Sequence, residues 1–222
     1  PGKSGAIHMM FEIVLQAYGW EKGIDILTRM GANSRSFDDG SSGIPMDVAR
    51  GENALGMCID FYAGAKIAEV GDDLVGFVMP KGLTVVNADP ICLLKGSPNE
   101  EAARAFIEFV MSETGQKLWM LRKGVPDGPR RFGLSRLSVV PALYEMEQAT
   151  MLIEKSANPF AAAIGFDYDN AKGGTRWQVI NDFMRSAMID THDEAVKAWK
   201  ALIENKFPKD ADKLFGSSPL TE

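Results

Sequence analysis

Asp60 and Tyr62, a carboxylate and a phenol one residue apart, stand at the end of an apolar run over residues 55–59, within GENALGMCIDFYA at 51–63. The run reads as a buried strand, and in open α/β sheets ligands bind beyond the carboxyl ends of strands, so both side chains are candidate contacts. Each also has a plainer use. Asp60 can cap a helix expected from about 63 to 70, and Tyr62 can pack against the body of the domain. Ser4 and Gly5 open an amphipathic segment whose first N–H groups and dipole make an anion site, although Ser4 is equally a helix cap. Ser41-Ser42-Gly43 places two hydroxyls at a second helix start, or marks a turn. His8, four residues before Glu12, either faces a ligand or pairs with that carboxylate on the helix surface. Of these seven candidates, Ser4, Gly5, Ser41 and Ser42 suit donation to an oxygen-rich anion, Asp60 and Tyr62 suit orienting hydroxyls or an amine on the rest of such a ligand, and His8 is a further candidate contact.

The elements that must position them follow from periodicity. Ile7, Met10, Phe11, Val14 and Tyr18 form a helical stripe that Gly19 ends. A second helix over 20–30 turns Ile24, Leu27 and Met30 inward and stops at Gly31-Ala32-Asn33. A short third helix runs through Met46 and Val48, with Pro45 tolerated in its first turn. Apolar runs at 74–79 and 82–86 add strands. Strands alternating with helices predict an α/β unit with a mostly parallel sheet over 1–87.

Beyond residue 88 the stretch 89–119 reads DPICLLKGSPNEEAARAFIEFVMSETGQKLW. Residues 91–94 predict another strand. Ser97 caps the next helix, Pro98 takes its first position, and Glu100 completes a capping box. Ala103, Phe106, Ile107 and Val110 form its apolar face, and Ser112 caps a further helix carrying Gln116, Leu118 and Trp119. A Gly-, Pro- and Arg-rich loop over 124–133 carries Arg130 and Arg131, which could clamp an anion but read better as solvated loop residues. A helix is expected over 145–155 and irregular chain over 158–174. Two helices close the chain. Trp177, Ile180 and Met184 line one; Thr191 and Glu194 box the start of the other, which turns Val196, Trp199 and Leu202 inward, with His192 exposed in its first turn.

Strand, capped amphipathic helix and Ser-x-x-Gly-Gln turn in this order resemble the extracellular solute-binding proteins of bacterial ABC importers, nearest to the group for ferric iron, thiamine and phosphonates. The resemblance runs from Ser4 to about Leu202. It implies a type II periplasmic-binding-protein fold: one α/β lobe over 1–87 with cleft-facing helix starts, then the crossover strand and C-terminal helical part of the other lobe over 88–222. That other lobe's N-terminal part is absent from the chain. It further implies that the Ser4-Gly5 and Ser41-Ser42 positions face the cleft, with Ala6 where the family usually carries a hydroxyl. Ferric members have paired tyrosines where this chain has Phe61-Tyr62, since hard phenolates suit a hard cation. With one donor missing, a sugar phosphate or phosphonate ranks ahead of iron; were iron bound, Tyr62 and Asp60 would ligate it, and otherwise no metal is expected. The implied partners are the permease subunits, and the implied location is periplasmic or otherwise extracytoplasmic. A monomer without cofactor is expected.

Composition sets the outer limits. The 222 residues are 45% hydrophobic, enough for a core. A formal charge of −6 disfavours a nucleic-acid or anionic-membrane surface. No window approaches the roughly 18 uninterrupted apolar residues of a membrane span, so the chain is not itself membrane-spanning. It opens at Pro1, a processing or truncation boundary that carries no information on export. Cys58 and Cys92 lie in apolar runs and read as buried thiols rather than a disulfide. Two other classes compete with the binding protein. A two-lobed transferase-type enzyme would need a nucleophile elbow, P-loop or GxGxxG, none of which occurs, so no enzyme is expected. A ligand-sensing domain of a regulator would sit beside a helix-turn-helix or basic patch, and neither occurs.

Overall fold

The computed structural model describes residues 5–38, 40–80, 82–87, 89–146, 158–160 and 167–221. The chain divides into two compact units: Pro1–Cys58 with Pro80–Val85 and Gly165–Glu222, and Ile59–Met79 with Val86–Ile164.

The first unit is built from helices of both chain ends. Helix α1 spans Gly5–Tyr18 and α2 spans Trp20–Ala32. Gly19 separates them at φ 78, a conformation that costs a glycine nothing. Helix α3, Ile44–Ala49, is short. From the C-terminal side come α7, Asn170–Thr175, and α8, Trp177–Phe183, the latter continuing into a π-helical turn over Met184–Ile189. Helices α9, His192–Glu204, and α10, Lys209–Phe215, follow. Helix α1 packs on α2 and α8, and α2 packs on α9 and the π-helical turn. Their shared core holds Phe11, Leu15, Trp20, Ile24, Leu27, Ile180, Phe183, Met184 and Met188.

Periodicity locates α2 well and α1 only in part. The expected α1 stripe ended on Tyr18, which is 47% exposed, while the buried side of the helix is His8, Phe11, Glu12 and Leu15. Two polar residues share that face because distant partners reach them: Arg176 pairs with Glu12, and Asn181 meets one ring nitrogen of His8. Near the C-terminus, Thr191 precedes α9 but makes no side-chain cap bond. His192 is not simply exposed: its Nε2 lies 3.0 Å from the Ser34 carbonyl oxygen and its ring meets Phe37 edge-on. Helix α10 had no counterpart among the expected elements. Arg29 of α2 holds it by pairing with Asp25 and, at 2.6 Å, with Asp212.

The second unit contains α4, Asp60–Val70, α5, Glu100–Met111, α6, Glu113–Met120, and a 3-10 turn over Pro141–Tyr144. Its core is Met120, Leu121 and Leu143. Helix α5 begins two residues later than Ser97 and Pro98 predicted. Asn99 is the cap, its side-chain oxygen accepting from the Ala102 N–H at 3.1 Å. That start places both Glu100 and Glu101 against the positive helix end. None of α5's residues is buried among the described residues, and Phe106 of the expected apolar face is 59% exposed.

The Ser112-x-x-Gly115-Gln116 turn has a clear cause. Ser112 Oγ accepts from the Gly115 N–H at 3.1 Å, and a Cβ on Gly115 would overlap the Phe109 carbonyl, so only glycine lets α5 and α6 meet this closely. Buried Gln116 then donates to the Val110 carbonyl at 2.8 Å and accepts from Ser138 Oγ and the Val139 N–H.

No strand forms among the described residues. The runs at 55–59, 74–79 and 91–94 have no regular hydrogen-bonded structure there, and Leu55, Leu74, Val78 and Leu94 are exposed. Of the helix expected over 145–155, residues 147–155 lie outside the described residues. Cys58 is half-buried and Cys92 exposed rather than buried, and no disulfide joins them. No helix among the described residues is long and apolar enough to cross a membrane.

Candidate functional site

The expected site residues fall in both units. In the first, Ser4 lies outside the described residues, and Gly5 opens α1 with the Trp177 ring 3.7 Å from where a Cβ would stand. His8 is buried and stacks on Trp177 with ring centroids 3.6 Å apart. Its Nδ1 lies 3.0 Å from Asn181 Oδ1, and its Nε2 is buried with no partner among the described residues. The surface pair with Glu12 does not form. Glu12 is fully buried and engages Arg176, whose Nη2 donates at 2.7 Å and Nε at 3.0 and 3.1 Å, together with Gln16 at 2.7 Å. A forked guanidinium satisfies both carboxylate oxygens, which one imidazole four residues away cannot do.

Ser41 is buried and Ser42 exposed, and both precede α3, which begins at Ile44 after Gly43. The expected hydroxyls therefore sit in the turn before the helix, not at its cap. This unit also encloses a cavity of about 610 Å³. Its lining includes Met10, Phe11, Met30, Phe37, Met184 and Met188, and its polar side carries Asp38, Asp47 and Glu52. Arg35, which also lines it, is paired with Glu52 at 2.5 Å. None of the described site residues lines this cavity, and its acidic rim suits an apolar or cationic guest better than an anion.

In the second unit Asp60 and Tyr62 occupy the first turn of α4. Asp60 is not its cap, a position Ile59 holds without a side-chain bond. Burial pushes the Asp60 carboxyl above the usual range, against the opposing pull of the Phe61 N–H and the Arg136 charge. Phe61 and Tyr62 have ring centroids 4.5 Å apart. The Arg136 guanidinium lies 3.8 Å over the Phe61 ring and 5.6 Å from that of Trp119. Its Nη1 donates to Asp89 at 2.7 Å, and its backbone N–H donates to the Trp119 carbonyl at 3.0 Å. Tyr144 stands near the same carboxylate. Burial first, then the Asp60 charge, push its phenol up to about 12, and its hydroxyl donates to the Ser138 carbonyl at 2.8 Å.

Sequence reasoning missed Arg136, Trp119 and Asp89 as neighbours of the Asp60 turn. Arg136 lies in an irregular stretch with no periodicity to mark it. Arg130 and Arg131, weighed from sequence as an anion clamp, are exposed as the loop reading predicts.

A family described as bacterial extracellular solute-binding protein matches residues 8–129. Two curated relatives, both named phosphoglycerate transport regulatory protein PgtC, come from Salmonella typhimurium and Salmonella typhi. Each is 24% identical over 230 residues, which cover 93% of this chain and 56% of the relative. The chain thus spans little more than half the length of these relatives. No solved structure matches it.

Proposed function

We propose, for a chain that belongs to the family of bacterial extracellular solute-binding proteins, a role as the binding component of an ABC importer, capturing a small anionic, oxygen-rich solute of the sugar phosphate or phosphonate type. The observation that carries this reading is the family match over residues 8–129, more than half of the chain. The name of the two relatives adds support for the ligand class, because phosphoglycerate is an anionic, hydroxyl-bearing organic phosphate. Such a protein holds its solute without transforming it and passes it to permease subunits outside the cytoplasm.

In this reading the fold is of the type II periplasmic-binding-protein kind. Ser4, Gly5, Ser41 and Ser42 donate to the anion, His8 is a further contact at the α1 end of the site, and Asp60 and Tyr62 orient hydroxyls or an amine on the remainder. Closure around the solute follows from contacts made only in the shut state. Ferric iron held by Tyr62 and Asp60 is the second reading within the same importer group. A solute-sensing role is a third, favoured by the word regulatory in the relatives' name.

Thermal-shift screening of the full-length protein tests the choice, since a ligand that binds only the native state raises apparent stability. Stabilisation by 3-phosphoglycerate or another sugar phosphate is expected. Stabilisation by ferric ion alone would reverse the ranking.

A further inference from the structure

We propose that Arg136 is the anchor for the solute's anionic group, taking a carboxylate or phosphate on the edge formed by its Nε and Nη2. The inference rests on the solute-binding reading above and adds a binding residue to it.

The guanidinium is held in place on three sides. Phe61 covers one face at 3.8 Å, the Trp119 ring stands 5.6 Å away, and Asp89 takes Nη1 at 2.7 Å. Cation–π contact and one ion pair fix its orientation, so little rotamer freedom is left to lose when an anion arrives. The Nε–Nη2 edge, by contrast, has no partner among the described residues. Two other arginines of this chain show what that edge does when a carboxylate is in reach. Arg104 directs Nε and Nη2 to Glu100 at 3.0 and 2.6 Å, and Arg176 directs the same pair to Glu12. These are the paired donors that match an oxyanion bidentately.

Charge and position agree. The Arg136 side chain keeps 32% of its exposure, so a solute can reach it, while its partner Asp89 is 84% exposed and screened by solvent. Asp60 and Tyr62 lie in the adjoining first turn of α4, and Asp60 is close enough to feel the Arg136 charge. A cation beside a carboxylate and a phenol favours a guest carrying an oxyanion and hydroxyls on one small skeleton over bare phosphate.

The test is calorimetric titration of the full-length protein with 3-phosphoglycerate, glycerate and glycerol 3-phosphate, on wild type, Arg136→Lys and Arg104→Lys. Arg136→Lys keeps the charge and most of the stem but loses the paired donors. It is expected to weaken 3-phosphoglycerate by about ten- to a hundredfold, with the melting temperature of the unliganded protein unchanged and Arg104→Lys binding like wild type. A loss shared with glycerate places the carboxylate on Arg136, and a loss shared with glycerol 3-phosphate places the phosphate there. Arg136→Lys binding as tightly as wild type overturns the anchor and leaves the solute-binding reading standing. Unliganded destabilisation, with every probe weakened in proportion, also overturns it, assigning Arg136 to the framework. Wild type binding none of the three probes overturns both.

Discussion

Arg176 closes on Glu12 from 164 positions away, its Nη2 2.7 Å from Oε1 and its Nε within 3.1 Å of both carboxylate oxygens. Glu12 is 0% exposed and the Arg176 side chain 11%. The pair ties the middle of α1 to the residue that precedes α8. Breaking a buried pair leaves one charge uncompensated, at a cost of about 3–5 kcal/mol. Glu12→Ala should therefore lower the urea midpoint sharply, and replacing Glu12 and Arg176 together by leucine should recover most of the loss. A double-mutant cycle by urea denaturation checks this; a small effect of Glu12→Ala would mean that water enters and takes over the role.

The α5–α6 junction makes a second forecast. Gln116→Ala removes the acceptor of Ser138 Oγ and the Val139 N–H and the donor to Val110. Leaving buried groups unmet costs about 1–3 kcal/mol. Gly115→Ala should also destabilise, because its methyl meets the Phe109 carbonyl and forces the helices apart. Chemical denaturation with amide exchange across 105–120 reports both, and wild-type protection in Gly115→Ala would contradict the packing.

Tyr144 sets a stability limit at high pH. Burial raises its phenol to about 12, against about 10 in an unfolded chain. The folded state then holds its proton where the unfolded state has lost it. This contribution to stability is intact below about pH 10 and is lost as pH rises toward about 12. Tyr144→Phe should flatten that part of the pH–stability curve. An unchanged curve in the variant would refute the assignment.

At low pH the α2–α10 contact should weaken first. Burial pushes Asp25 up, but hydrogen bonds from Lys22 and Arg29 outweigh it and the net direction is down. A lowered folded value gives stability that is present above the unfolded carboxylate value near about 4 and is lost as pH falls through the folded one. Trp199, whose ring lies 5.8 Å from Phe215 of α10 and 6.0 Å from the Arg29 guanidinium, should report the loss as an emission change. Asp25→Asn should remove the transition.

Local order was legible and pairing was not. The spacing of Ile24 and Leu27 located α2, and Ser112 capped α6 as its sequence context required, because a helix satisfies its backbone within a few residues and its signals lie equally close. Even there the expected start at Ser97 misses by two residues, since Asn99 serves as the cap and α5 begins at Glu100. The apolar runs at 55–59, 74–79 and 91–94 are plain in the letters, yet a strand exists only when another strand meets its edge, and no such ladder forms among the described residues.

By itself, then, the sequence determined most of the helices, though not α7 or α10, together with the Ser-x-x-Gly-Gln joint and the likeness to solute-binding proteins, all of which are carried by residues near one another in the chain. Tertiary structure alone decided that Glu12 would be buried against Arg176 rather than His8, and that Phe61 and Trp119 would frame Arg136. The reason is physical: a buried charge is tolerable only beside its partner, and periodicity holds no information about which distant residue the fold will bring there.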